Sequence, residues 1–231
     1  MRAKPIFFLL LIGSLVLLSG VARWYGKQPN GILFMQAQSH VATTDSALCL
    51  TFDDGPSAHL TPLLLDLLKK HQVKAVFFVN GIQIEANPQI GQRIIAEGHQ
   101  MGNHTYQHDP MVWRSKDQIR TDLLKTDQLI RTAGGKDQHL FRAPYGDSFL
   151  NLPLVLKQLN KQYIGWSVEP KAQYETPFSA PKVIQQTLEQ LHPGAILLLH
   201  DGWHPETAAF LQAVEQIILQ AQQSGYHFTA L

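Results

Sequence analysis

The chain has 231 residues, 45% hydrophobic and 16% charged, with 19 basic side chains against 18 acidic ones. That is enough apolar material for one sizeable core, or at most two small ones, and a net charge of +1 without any basic block excludes strong charge-driven binding of nucleic acid or anionic lipid. The single cysteine, Cys49, excludes a disulfide within the chain and, inside the apolar run ALCLTF, reads as a small buried hydrophobe.

Arg2 and Lys4 precede an apolar run from Ile6 to Leu18, the pattern of an export signal. Gly20 and Ala22 supply small side chains for cleavage, without a clean A-x-A. With Val21 and Ala22 included, the run nears the lower length for spanning a bilayer. Residues 1–22 are therefore read as a signal peptide or, if retained, as an N-terminal membrane anchor, with residues 6–22 as the tether. The expected location is outside the cytoplasm, in the periplasm or at the cell surface, with the inner membrane as the site of any anchorage. No cysteine follows LLSG, so no lipid attachment is expected. Residues 23–45 lack a clear period and read as a linker, leaving 46–231 as the folded domain.

From Ala47 the pattern alternates between strand and helix. ALCLTF reads as a buried strand. Thr61-Pro62 reads as an N-cap with proline in the first turn, ahead of the helix LLLDLLKKH. KAVFFVN is a strand, and Pro88–Glu97 a helix closed by Gly98. Residues 115–133 form a long amphipathic helix ending at Gly134-Gly135. Leu152–Leu159 is a short helix, QYIGWSV a strand, Pro181–Leu191 a helix, AILLLH a strand, Thr207–Gln223 a helix, and YHFTAL a last strand. Short apolar strands between helices predict parallel βα units, and their number favours a barrel over a small open sheet. Chemistry in such folds collects at the C-terminal ends of the strands.

Four polar clusters fall near such ends: Asp53-Asp54 in LTFDDGPS, His104 and His108 in HTYQH, Arg142 in RAPYG, and His200 in LLLHD. Taken singly, each has a bland structural explanation: a turn, a satisfied histidine, a surface arginine, a polar strand end. Together they suggest one site. A divalent metal beside two histidines makes one of the adjacent aspartates a ligand, and leaves the other to act as base toward an attacking water. A neighbouring arginine would hold that base ionised.

The set TFDDGP with Thr61-Pro62, HTYQH, RAPYG and LLLHD, in that order, resembles the polysaccharide deacetylases with a NodB homology domain, carbohydrate esterase family 4. The resemblance runs from about Ala47 to the C-terminus. It implies an α/β fold, a distorted, incomplete (β/α) barrel, and metal-dependent hydrolysis of N-acetyl groups from amino sugars in a polysaccharide or oligosaccharide. Peptidoglycan, chitin-like chains and exopolysaccharide all remain open as the N-acetylated glycan. By position, Asp54, His104 and His108 would hold one divalent metal ion, zinc first, with cobalt and nickel as alternatives. Asp53 would be the general base, paired with Arg142, and His200 the general acid. The backbone N–H of Tyr145 would meet the oxyanion, and Leu198 would line the pocket for the acetyl methyl. The family's next motif usually carries an aspartate and then a tryptophan. Here WSVEPKAQY puts Glu169 in place of the aspartate that orients the catalytic histidine and Tyr174 in place of the tryptophan; alternatively, Glu169 only starts the Pro170 turn. Trp113 and Trp203 are candidate sugar-stacking platforms, and His204 a rim residue. Two other readings stay open: an amidase acting on a formamido sugar or a ureide, and a carbohydrate-binding protein with a degenerate site. Keeping a base, an acid and the ligand triad argues against the last.

Overall fold

The structure is a computed structural model describing residues 12–14, 16–21, 24, 35–43, 45–136, 139–148, 150–202, 204 and 206–231. Its strands are β1 (Ala47–Asp53), β2 (Val76–Val79), β3 (Gln100–Asn103), β4 (Leu140–Phe141), β5 (Gln162–Tyr163), β6 (Ile196–His200) and β7 (His227–Thr229). They form one sheet in the order β5-β4-β3-β2-β1-β6, with β7 on the first residues of β1. Every pairing is parallel. Parallel strands need crossover connections, and these are the helices α1 (Leu60–Lys70), α2 (Gly81–Ala86), α3 (Pro88–Ala96), α4 (Lys116–Thr132), α5 (Asn151–Gln158), α6 (Ala180–Gln190) and α7 (Thr207–Gln223).

The stretch after β5 closes the sheet on itself. Gln162 and Tyr163 pair with β4 at one edge. A few residues on, Val168 bridges Leu197 of β6 at the other edge, and its carbonyl accepts from Leu198 N–H at 2.9 Å. One short segment therefore touches both edges, and the sheet curls into an incomplete barrel.

Period-two alternation then sorts the side chains. Leu48, Leu50 and Phe52 of β1, Phe77 and Val79 of β2, and Leu197 and Leu199 of β6 pack outward against the helices. Cys49, Val76, Phe78, Leu140, Ile196 and Leu198 cluster on the opposite, inner side with Ile164 and Trp166. Burial pushes the Cys49 thiol up to about 12, which suits a packing residue. Gly102 leaves room for the Phe78 ring, whose atoms come within 2.4 Å of where a Cβ would stand. By the same alternation, Asp53 and His200 end their strands on the inner side, directly paired in register.

Several expectations change. QMGN and LF, now β3 and β4, were not expected as strands; they are too short, and β3 too polar, to show a period. QYIGWSV is a strand only at Gln162–Tyr163 and at the Val168 bridge. The α1 helix starts at Leu60, so Thr61 lies inside it rather than capping it. Part of the expected linker is docked: Gln38 bridges Ile164, His40 bridges Ala195, and Gln38 N–H donates to Tyr163 C=O at 2.9 Å. The export or anchor expectation for residues 1–22 falls largely outside the described residues, among which no helix is long and apolar enough to cross a membrane.

The loop after β1 is clamped from β6. Asp201 N–H donates to Asp53 C=O at 3.0 Å, and Thr61 Oγ1 donates to Asp201 Oδ2 at 2.6 Å. Gly55 passes so close that a Cβ there would lie 2.3 Å from Asp201 Oδ2. Asp201 is fully buried. That burial pushes its carboxyl up to about 7, helped by the Asp53 and Asp54 charges and opposed by Thr61. A carboxyl free in the unfolded chain titrates near pH ~4. The folded protein therefore keeps a proton that the unfolded chain releases, and this contribution to stability is full below pH ~4 and lost as pH rises through about 7. Asp201→Asn cannot titrate, so in urea unfolding it should gain on the parent protein as pH is raised from 5 to 8. A stability difference independent of pH would show that Asp201 ionises normally.

Candidate active site

Adjacent residues of a strand point to opposite sides, so Asp53 and Asp54 could not both face the interior in extended backbone. Asp54 breaks the alternation with a φ of 75°, a left-handed conformation that aspartate tolerates better than most residues. Its carboxylate swings back beside that of Asp53. Asn80 steadies the turn, with its N–H donating to Gly55 C=O at 3.0 Å and its Nδ2 to Asp54 C=O at 3.3 Å.

The histidine pair sits on a tight turn after β3, not on a helix. Thr105 and His108 have φ of 68° and 60°. The turn is held from several sides: Thr105 N–H donates to Asn103 Oδ1, Tyr106 N–H to Asp122 Oδ1 on α4, and His108 N–H to Thr105 Oγ1. Asn103 Nδ2 in turn donates to Asp127 Oδ1, which also receives the buried Lys161 ammonium. The result places His108 Nε2 3.1 Å and His104 Nε2 3.4 Å from the same Asp54 oxygen, Oδ1.

The donor chemistry of this triad fits a divalent metal. His104 Nδ1 lies 2.8 Å from Arg142 C=O. A carbonyl can only accept, so Nδ1 carries the proton and Nε2 of the neutral ring presents a lone pair. Asp54 Oδ1 is buried and, apart from the two imidazole nitrogens, has no hydrogen-bond donor among the described residues. The three ligand atoms lie within 4.8 Å of one another. Acceptors converging in this way need positive charge between them, as protons or as an ion. The electrostatics agree. Burial pushes the Asp54 carboxyl up, but the two imidazoles outweigh it and hold the group well below the carboxylate range. Burial lowers His104, and the Asp53 and Asp54 charges more than restore it, leaving it above its usual value. Two histidines and one carboxylate suit zinc and its borderline neighbours.

Asp53 has different company. Arg142 Nη1 donates to its Oδ1 at 2.7 Å, while its Oδ2 lies 3.7 Å from His104 Nε2. The arginine is completely buried. It also donates to Thr51 Oγ1 at 2.8 Å, Ile164 C=O at 3.2 Å and Gly165 C=O at 2.9 Å. Its guanidinium lies over the Phe78 ring, 4.1 Å from the centroid.

His200, half-buried, completes the inner wall. Burial holds its imidazole below the ordinary value, against the pull of Asp53 and Asp54. The expected partnership with Glu169 is not what the structure contains. Glu169 accepts from Trp166 Nε1 at 2.9 Å and Tyr174 OH at 3.0 Å, and pairs with Lys171 at 2.6 Å. His200 Nδ1 instead meets Gln173 Oε1 at 3.0 Å. Residues 171–174 form a single 3-10 turn, which aims the third of them, not the carboxylate before the turn, at the histidine.

A cavity of about 470 Å³ opens over these groups, walled by Tyr145, Trp166, Glu169, Tyr174, Leu198 and His204 among others. Tyr145 has a left-handed φ of 60°, and its ring meets that of His108 edge-on at 4.6 Å. Leu198 lines the floor. His204 stacks on Phe210 at the rim. Trp113 is 83% exposed and is not among the residues that wall this cavity. Trp203 lies outside the described residues. The cavity is also lined by Gln173 and Phe210, which no motif in the sequence marks. Trp166 is marked only by its place three residues before Glu169 in the WSVEP stretch.

Residues 40–164 match the family model for polysaccharide deacetylase. A peptidoglycan-N-acetylglucosamine deacetylase of Bacillus cereus is 34% identical over 184 residues, covering 80% of this chain and 66% of that protein, so this chain spans just under two thirds of that relative's length. A chitooligosaccharide deacetylase of Bradyrhizobium sp. is 35% identical, covering 68% of this chain and 71% of that one. The crystal structure of the Bc1960 peptidoglycan N-acetylglucosamine deacetylase superposes with a TM-score of 0.79 at 31% identity, covering 84% of this chain and 90% of the other. With a matching model over more than half of its residues and a relative it covers this fully, the chain belongs to the polysaccharide deacetylase family.

Proposed function

We propose that the protein hydrolyses the N-acetyl group of an amino sugar within a glycan, releasing acetate and leaving a free amine. One observation carries this reading: Asp53, held by a buried arginine, and His200 end paired strands in register beside the Asp54–His104–His108 triad. A base and an acid thus flank one candidate metal position at the mouth of a sugar-sized cavity. The matched relatives named for peptidoglycan and chitooligosaccharides support an N-acetylglucosamine-containing glycan. Reading residues 1–22 as an export segment would bring the enzyme to such a glycan outside the cytoplasm.

Asp54, His104 and His108 would hold the divalent ion, zinc first, which would supply Lewis-acid polarisation of the acetamide carbonyl and lower the pKa of the attacking water. The remaining work falls to the chain's own groups. Arg142 donates to Asp53 Oδ1 and fixes that oxygen, leaving Oδ2 on the triad side to take a proton from the attacking water. The Tyr145 N–H, in its left-handed turn, is the donor suited to the oxyanion that forms as water oxygen bonds to the carbonyl carbon. His200 Nε2 then gives a proton to the nitrogen as the C–N bond breaks. Leu198 offers an apolar surface for the acetyl methyl.

Removing the base should cost at least ~100-fold in kcat/KM, the lower range for general acid–base groups. Asp53→Asn should therefore lose acetate release from tetra-N-acetylchitotetraose by that factor or more, with zinc affinity retained. Full activity in this variant would remove Asp53 from the chemistry. His104→Ala should weaken zinc binding by ~100-fold or more in competition with a chelating dye, more than the loss of a supporting residue typically causes. Chelator should abolish acetate release by the parent protein, and zinc should restore it. Undiminished zinc affinity in His104→Ala would place the ion elsewhere.

A further inference from the structure

We propose that Gln173 is the positioning residue for His200, so that a neutral side-chain amide does here what an aspartate usually does in the family. This rests on the deacetylase reading of the same site. Gln173 is 8% exposed and lies on the 3-10 turn Lys171–Tyr174. Its Nε2 donates to Leu198 C=O at 3.2 Å, two residues before the histidine on β6. That bond settles the orientation of the amide and leaves Oε1 facing His200 Nδ1 at 3.0 Å. An amide oxygen only accepts, so Nδ1 carries hydrogen whether the ring is neutral or charged. The proton that comes and goes is then on Nε2, the atom required to protonate the leaving amine.

The carboxylate expected for this task is occupied. Glu169 is bound to Trp166 Nε1, Tyr174 OH and Lys171. Its bond to Tyr174 instead serves the turn, because the Tyr174 ring packs edge-on against His200 with centroids 5.4 Å apart. The two residues that follow one another in the turn thus hold the imidazole by its Nδ1 and by its face.

The substitution has a chemical consequence. A carboxylate at Nδ1 would favour the imidazolium; an amide fixes the ring without adding charge. The charged groups acting on His200 are Asp53 and Asp54 from the end of β1, His104 from the end of β3, and Arg142 from the end of β4. None of them belongs to the turn that holds the ring.

The test uses the zinc-loaded full chain with 15N-labelled histidine, with His200 assigned by comparison with His200→Asn. The neutral His200 ring should be the Nδ1–H tautomer in the parent protein. Gln173→Ala should admit the Nε2–H form. Gln173→Glu should keep Nδ1–H and raise the His200 titration by about one pH unit or more, and the alkaline limb of acetate release should move to higher pH with it. An Nε2–H tautomer in the parent, an unchanged tautomer ratio in Gln173→Ala, or a parent-like titration in Gln173→Glu would each overturn the proposal. Should Gln173→Glu fail to fold, the tautomer ratio in Gln173→Ala decides. The tautomer readout needs no turnover. A protein with the expected tautomer and no acetate release would fail the deacetylase reading while leaving the positioning role intact.

Discussion

The guanidinium of Arg142 is the interaction on which the rest of the inner wall depends. It leaves the end of β4, crosses the interior, and binds Thr51 and Asp53 on β1 and the carbonyls of Ile164 and Gly165 on the closing segment. Its own carbonyl receives His104 Nδ1. Fold closure and site geometry therefore share one side chain. A buried ion pair is a poor source of net stability, because desolvating both charges offsets most of the attraction. Removing one partner is another matter, costing ~3–5 kcal/mol by leaving a buried charge without compensation. The arrangement is better understood as specifying one closed geometry than as strengthening the fold.

Around this arginine, the residues of the site are held in backbone conformations that a free chain avoids. Asp54, Thr105, His108 and Tyr145 all have positive φ. Each such residue costs on the order of 1–3 kcal/mol and persists only where its surroundings over-determine it. The surroundings are visible. Asn80 holds the Asp54 turn, and Asn103, Asp122 and Asp127 hold the histidine turn. Lys161 and Asp127 form a second buried ion pair outside the site, and its reach to His104 runs through Asn103. The polar groups buried at this end of the barrel thus serve to aim backbone turns.

What could be read from the sequence follows from how many residues carried each signal. Long periodic segments were legible: Thr207–Gln223 has the expected limits, and the helix expected over 115–133 is Lys116–Thr132 behind a Ser115–Gln118 capping box. The strands β3 and β4 were not, since a few residues cannot display a period and Gly102 is present for the sake of Phe78, a neighbour in space only. The candidate ligand, base and acid positions were legible because unusual residue types recur at the ends of apolar runs. The partner of His200 was not. Charge drew attention to Glu169, yet the choice between Glu169 and Gln173 is made by the 3-10 turn, whose direction no residue pattern in WSVEPKAQY announces.

The two adjacent aspartates are not interchangeable, and the reason lies in the backbone. Asp53 is the last residue of β1, so its side chain points inward at a height set by pairing with His200. That height is where the guanidinium of Arg142 arrives. Asp54 is past the strand, in a left-handed turn, and its carboxylate reaches the two imidazoles from the side. Each carboxylate thus has a different principal partner: the Arg142 guanidinium at 2.7 Å for the first, and the two imidazoles at 3.1 and 3.4 Å for the second. Inverting the roles would require the strand to end one residue earlier. That would break the Asp53–His200 register and the clamp of Asp201 N–H on Asp53 C=O together.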